Sequence, residues 1–187
     1  MFAKVLRLPV LAHGGLVLAA MAAFSLIKQR LDSSYVAARH PVDYAAGQLA
    51  FDAQKIEGYY AHMIAEGTLE IYWQTQFIDF AFIAAIMVLS VLLGTFVARL
   101  SGPGGYGARL GIGAAVLGVA GAAMDVMENL GSFLMLADPG NIAQPLALIY
   151  SSFAALKFAL LTLAMAGIGL SILVGLVERL AGAYRPR

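Results

Sequence analysis

Four stretches of this chain are too long and too apolar to lie in water: residues 8–27, 77–98, 110–136 and 145–177. Each can cross about 30 Å of hydrocarbon as a helix rising about 1.5 Å per residue. Lipid offers a backbone no hydrogen-bond partner, so only helices and closed barrels cross it. These runs are continuous rather than short and alternating, which argues against a barrel. The chain therefore reads as an all-α, polytopic membrane protein, a four-transmembrane-helix bundle forming a single domain over its 187 residues. Composition agrees, since only 12% of residues are charged, against about a quarter in soluble domains. A net charge of +1 offers no basic face for nucleic acid. With no cysteine, disulfides, thiolate nucleophiles and Cys-ligated metals are excluded.

Lys4 and Arg7 before the first run imitate a secretory signal. The run is long for such a signal, however, and passes into Lys28 and Arg30 without a cleavage site. It reads as the first span. Bases near span ends set orientation. Lys4 and Arg7 precede the first span, Arg99 and Arg109 flank the turn between the second and third, and Arg179, Arg185 and Arg187 follow the fourth. The turn between the third and fourth carries Asp138 and no base. Both termini are thus predicted to be cytoplasmic, with residues 28–76 outside.

That outer segment carries the loop-like "RHPVDYAAGQ" and then "FDAQKIEGYYAHMIAEG", an amphipathic outer helix between the first and second spans. Asp52 is placed to cap the helix and Gly67 to end it. Ile56, Tyr59, Tyr60, Met63 and Ile64 share one face, predicted to lie on the membrane or to cover the bundle. Thr68 is placed to cap a new helix leading into the second span, with Tyr72 and Trp73 in an interfacial aromatic belt. Ala114, Gly118 and Ala122, and Gly167, Ser171 and Gly175, are small residues four apart, a spacing that lets helices pack closely. "SGPGGYG" lacks the Lys and Ser/Thr of a phosphate loop and reads as a turn.

Polar residues inside the spans carry the chemistry. Tyr72, Gln76 and Asp79 are spaced i, i+4, i+7; Asp125, Glu128, Asn129 and Ser132 are spaced i, i+3, i+4, i+7; Tyr150 and Lys157 are seven apart. Polar stripes on apolar helices face the protein interior. At about 1.5 Å per residue, Glu128 lies roughly 12 Å and Asp125 roughly 16 Å below the outer end of the third span, and Lys157 roughly 20 Å below the start of the fourth. The three sets are predicted to converge in the outer half of one bundle. His13, approaching from the other end, is expected to bond a neighbouring carbonyl there. Three carboxyls face one amine, and a mid-membrane charge costs about 2.5–3.5 kcal/mol. Protonated carboxyls, a cationic head group, a metal ion, water, or Lys28 or Arg30 reaching inward would balance the excess. Metal binding by His40 or His62 with Asp43 or Glu66 has no supporting spacing, so no metal site is assigned and no cofactor follows. Hydrolase and zincin motifs are absent, and no catalytic residue can be singled out.

The order of Tyr72-x-x-x-Gln76-x-x-Asp79, Asp125-x-x-Glu128-Asn129 and a lone Lys157 resembles a group of small bacterial four-helix membrane proteins without assigned function. That resemblance implies a bacterial inner-membrane location and brings no activity. A remoter likeness, to the sterol-isomerase and sigma-2-receptor-like four-helix proteins, is architectural. Their motif spacing is not reproduced, so no catalytic residue carries over.

Three functions fit this pattern. The first is an intramembrane pocket for a lipid or other amphiphile, lidded by the outer helix. The second is an enzyme doing acid–base chemistry on such a molecule. The third is an accessory or scaffold subunit of a larger membrane complex, whose buried charges only lock the helices.

Overall fold

The computed structural model describes residues 2–183. Arg185 and Arg187, which entered the orientation argument, lie outside the described residues. The regular elements among the described residues are all helices: α1 (Phe2–Val5), α2 (Val10–Ala37), α3 (Tyr44–Gln48), α4 (Ala53–Ala65), α5 (Leu69–Ser101), α6 (Tyr106–Ala137) and α7 (Gln144–Ala183). α2, α5, α6 and α7 are long and apolar enough to cross a membrane. In α2 and α7 only 17% of the most apolar window is buried by protein, so their leucines and valines present apolar surface suited to lipid. These are the four spans of an integral membrane protein.

Helix ends depart from the apolar runs where polar residues take over. α2 continues ten residues past Ile27, to Ala37. An i, i+4 ion pair, Lys28 to Asp32 at 2.6 Å, supports the extension. Neither proposed counter-charge from this region reaches inward, because Lys28 is taken by Asp32 and Arg30 is exposed. The expected loop "RHPVDYAAGQ" holds the short helix α3, capped by the Asp43 carboxylate, which accepts from Ala46 N at 2.8 Å.

The chain groups into two compact units, Met1–Phe24, Ala85–Gly121 and Ala159–Arg187 in one, and Ser25–Ala84 and Ala122–Phe158 in the other. In the first unit small residues set the packing, as their spacing predicts. A Cβ on Gly167 would lie 3.1 Å from that of Ala114, and Ser171 donates to Gly107 O at 2.6 Å. A close approach to backbone involves Gly94, which the spacing did not mark. A Cβ there would stand 2.7 Å from both Gly111 O and the Ala115 Cβ. Gly94→Ala is therefore expected to cost about 1–3 kcal/mol through overpacking. Gly113→Ala, where a Cβ meets nothing within 4 Å, is expected to be neutral or better when both variants are unfolded with SDS in mixed micelles. His13 is fully buried in this unit, with Nε2 3.0 Å from Leu92 O, the carbonyl contact expected of it. Glu178 accepts from Tyr106 N and Gly107 N at 2.7 and 3.2 Å, closing the first turn of α6 with a carboxylate.

The second unit carries a cap made of α3 and α4. Asp52 caps α4 by accepting from Lys55 N at 3.0 Å, and Gly67 ends it with φ +69°. The buried stripe is Ala53, Ile56, Tyr60 and Met63, packed with Tyr72, Met135, Leu136, Ile142, Ala147 and Tyr150. The amphipathic helix thus covers the bundle rather than lying on the membrane. Two residues of the expected face correct the register: Ile64 is 54% exposed and Tyr59 only partly covered. Tyr72 is 5% exposed, so it belongs to this core and not to an interfacial belt. Trp73 instead packs on Phe77 and Phe133, with ring centroids 4.8 and 5.2 Å away.

Thr68 precedes α5 as expected, but its hydroxyl does not bond its own helix. It donates to Ala38 O at 2.6 Å, tying the start of α5 to the end of α2. Further clasps hold the cap to α7. Ala53 N donates to Gln144 Oε1 at 2.8 Å, Gln144 Nε2 donates to Phe51 O at 3.0 Å, and Phe51 N donates to Ser151 Oγ at 3.0 Å.

Candidate intramembrane polar site

Lys157 is the centre of the polar cluster. Helical side chains lean toward their own N-terminus. The amine on α7 therefore points back toward the capped end, where it meets α6. Its Nζ donates to Asp125 Oδ1 at 2.9 Å and to Glu128 Oε2. Spacing of three residues puts both carboxylates on one face of α6. A third acceptor comes from the cap, Gln48 Oε1 at 3.1 Å. Gln48 lies 109 residues from Lys157 in sequence, in a segment whose composition says only loop, so no local signal points to it.

Asp79 completes the set from α5. Its Oδ2 accepts from Asn129 Nδ2 at 2.7 Å, and it lies within electrostatic reach of Asp125 and Lys157. The three spans thus bring Asp79, Asp125, Glu128, Asn129 and Lys157 together, as their stripes predict. Burial is deep: Glu128 is 0% exposed, Asn129 1%, Asp125 2% and Lys157 5%.

Tyr72 and Tyr150 join the same region through its apolar side, beside Tyr60 of the cap. Ser132 Oγ lies close to the Tyr60 and Tyr72 hydroxyls, in a geometry short of a hydrogen bond. Burial pushes the Tyr60 hydroxyl well above the ordinary phenol range, and the Glu128 carboxylate adds to this. Tyr60 therefore stays a neutral phenol. Gln76 is buried between Tyr72 and Asp79 along α5, but among the described residues it makes no hydrogen bond to the charged groups. Thr75, which the stripes omit, is 2% exposed and pairs with Ser34 at 2.7 Å.

Three atoms of the cluster are buried without a hydrogen-bond partner: Glu128 Oε1, Asn129 Oδ1 and Ser132 Oγ. They belong to residues at i, i+1 and i+4 along α6. The Asn129 oxygen only accepts, the Glu128 oxygen accepts when the carboxyl is ionised, and the Ser132 hydroxyl accepts as well as donates. Buried polar atoms are nearly always paired, and each exception costs about 1–3 kcal/mol. The arrangement is suited to receive hydrogen-bond donors. Among the described residues no group of three His, Cys, Asp or Glu is placed to hold a metal ion. His40 Nδ1 lies 2.8 Å from Val42 O, and Glu66 pairs with Arg39 at 2.6 Å. Comparison of the chain with models of protein families, with curated proteins and with solved structures found no match.

Proposed function

We propose that the second unit binds the polar group of a lipid or other amphiphile inside the membrane, beneath the α3–α4 cap. The observation that carries this reading is the unpartnered trio Glu128 Oε1, Asn129 Oδ1 and Ser132 Oγ. A cluster built only to lock helices has no use for acceptors left over after Lys157 and Asn129 have made their bonds. A ligand whose polar group donates hydrogen bonds, through hydroxyl or amine, would satisfy them, while its apolar part stays among the span helices or in lipid. In this reading the capped end faces outward, in a bacterial inner membrane with cytoplasmic termini. Acid–base chemistry on the bound molecule would be a further use of the same carboxyls.

Native mass spectrometry of the protein in mild detergent tests this. Wild type is expected to retain an amphiphile. Ser132→Ala removes an unpartnered hydroxyl without touching the ion pairs, and is expected to weaken retention about tenfold, the worth of one hydrogen bond. Retention equal in Ser132→Ala and wild type, or no retained molecule in either, would sink the reading.

A second reading has its own observation. Lys157 is fully supplied, with three acceptors for its three protons. That is what a helix lock requires, and it fits a scaffold subunit docked to another membrane protein. Stable co-purification of a partner, with charge variants affecting only assembly, would favour it.

A further inference from the structure

The cap is joined to the site through Gln48, and the residue before it, Gly47, is buried against the ring of His40. A Cβ on Gly47 would stand 2.8 Å from His40 Cε1 and 3.3 Å from its Nε2. The imidazole is itself held in an aromatic nest. Its centroid is 5.3 Å from that of Tyr35 on α2, 5.2 Å from Tyr59 on α4 and 5.5 Å from Tyr72 on α5. Its Nδ1 is 2.8 Å from Val42 O, which assigns the proton of the neutral ring to Nδ1 and leaves the Nε2 lone pair on the Gly47 side. An open cleft of about 490 Å³, lined by Tyr35, Arg39, His40, Asp43 and Tyr44 among others, reaches the ring from outside the spans. Protons therefore have a path to a group on which the seat of α3 depends.

We propose that His40 is a proton-operated latch: its protonation unseats Gly47, withdraws Gln48 from Lys157 and loosens the α3–α4 cap over the intramembrane site. The regulatory meaning rests on the binding role proposed above; the latch itself does not. Adding a charge at Nε2 places it among three tyrosine rings and a glycine backbone, where water cannot fully solvate it. Burial accordingly lowers the affinity of His40 for a proton below the ordinary imidazole value, with the Val42 carbonyl opposing in part. The native state then binds fewer protons than the unfolded state. Its stability is complete above the ordinary imidazole range and falls as pH drops through that range toward the native value.

Other titratable groups face the same nest. The rings of Tyr35, Tyr59 and Tyr72 lie against the imidazole. The Asp43 carboxylate favours the imidazolium and His62 disfavours it. Glu66 is held below the usual carboxylate range by Arg39 beside it, so it titrates at more acidic pH than the window concerned.

Amide hydrogen exchange on full-length protein in lipid nanodiscs tests the latch. After correction for the intrinsic rate, α3 and α4 are expected to lose protection as pH falls from 7.5 to 5, because the native state binds the His40 proton less well than the unfolded state does. The fall should follow the His40 ¹³Cε1 titration in the same sample. His40→Asn is expected to flatten the pH dependence and His62→Gln to leave it. Gly47→Ala should open the cap at pH 7.5 already. A midpoint displaced from that of His40 by more than about one unit, a pH response that moves with His62, or a cap equally protected at both pH values overturns the proposal. Lipid retention with a pH-insensitive cap would defeat the latch alone. A pH-sensitive cap with no retained amphiphile would defeat the binding role alone.

Discussion

Lys157→Met is expected to destabilise the protein by about 3–5 kcal/mol, the cost of removing one partner from a buried ion pair. The amine is 5% exposed and is the common partner of Asp125 and Glu128. Its loss leaves two carboxylates facing each other and Asp79 with no cation in the cluster. Methionine keeps most of the side-chain volume, so the effect is electrostatic rather than a cavity. The control is the triple variant Asp125→Asn, Glu128→Gln, Lys157→Met, which removes the amine together with both carboxylates it pairs with. Replacing a whole buried ionic group by neutral residues of similar shape is often neutral, so this triple variant should recover most of the lost stability. Midpoints of SDS-induced unfolding in mixed micelles measure both. A single variant within about 1 kcal/mol of wild type, the range of an exposed pair, would show that Lys157 is solvated rather than locked in the seam.

Tyr60→Ala is expected to cost about 3–5 kcal/mol, the range for a large buried aromatic side chain cut to alanine. Tyr60 is 1% exposed at the centre of the cap's contact with the spans. Its ring lies 5.9 Å from that of Tyr72. The cavity would open beneath α4, so the loss should appear first as faster proteolysis and exchange in residues 44–65. Ile64→Ala is the matched control, since Ile64 is 54% exposed on the same helix. Its effect should stay within about 0.5 kcal/mol. Equal effects in the two variants would mean that the cap does not seat on Tyr60.

That pair of residues also marks how far the sequence could be read. Both belong to one apolar face at helical spacing, and spacing alone includes Ile64 with Tyr60 and Met63. Which side of a broad stripe is covered depends on what packs against it, and α4 meets its partners along residues 53, 56, 60 and 63. Tyr72 and Trp73 show the same limit. Adjacent aromatic residues at the mouth of a span suit an interface, yet one is core and the other packs on Phe77 and Phe133.

The spans were legible because lipid imposes a length and a polarity on any segment that crosses it, and that constraint is local in sequence. The same holds for the cap at Asp52 and for the polar stripes, since a helix puts residues three, four and seven apart on one face whatever surrounds it. The convergence of Asp79, Asp125, Glu128 and Lys157 followed from the cost of charge in hydrocarbon, which drives such stripes to find one another. Tertiary structure alone decided the rest. Gln48 reaches Lys157 across 109 residues, Gly94 meets Gly111 backbone to backbone, and His40 is seated against Gly47. Contacts of that kind depend on how separate segments are brought together, and no periodicity within one segment encodes them.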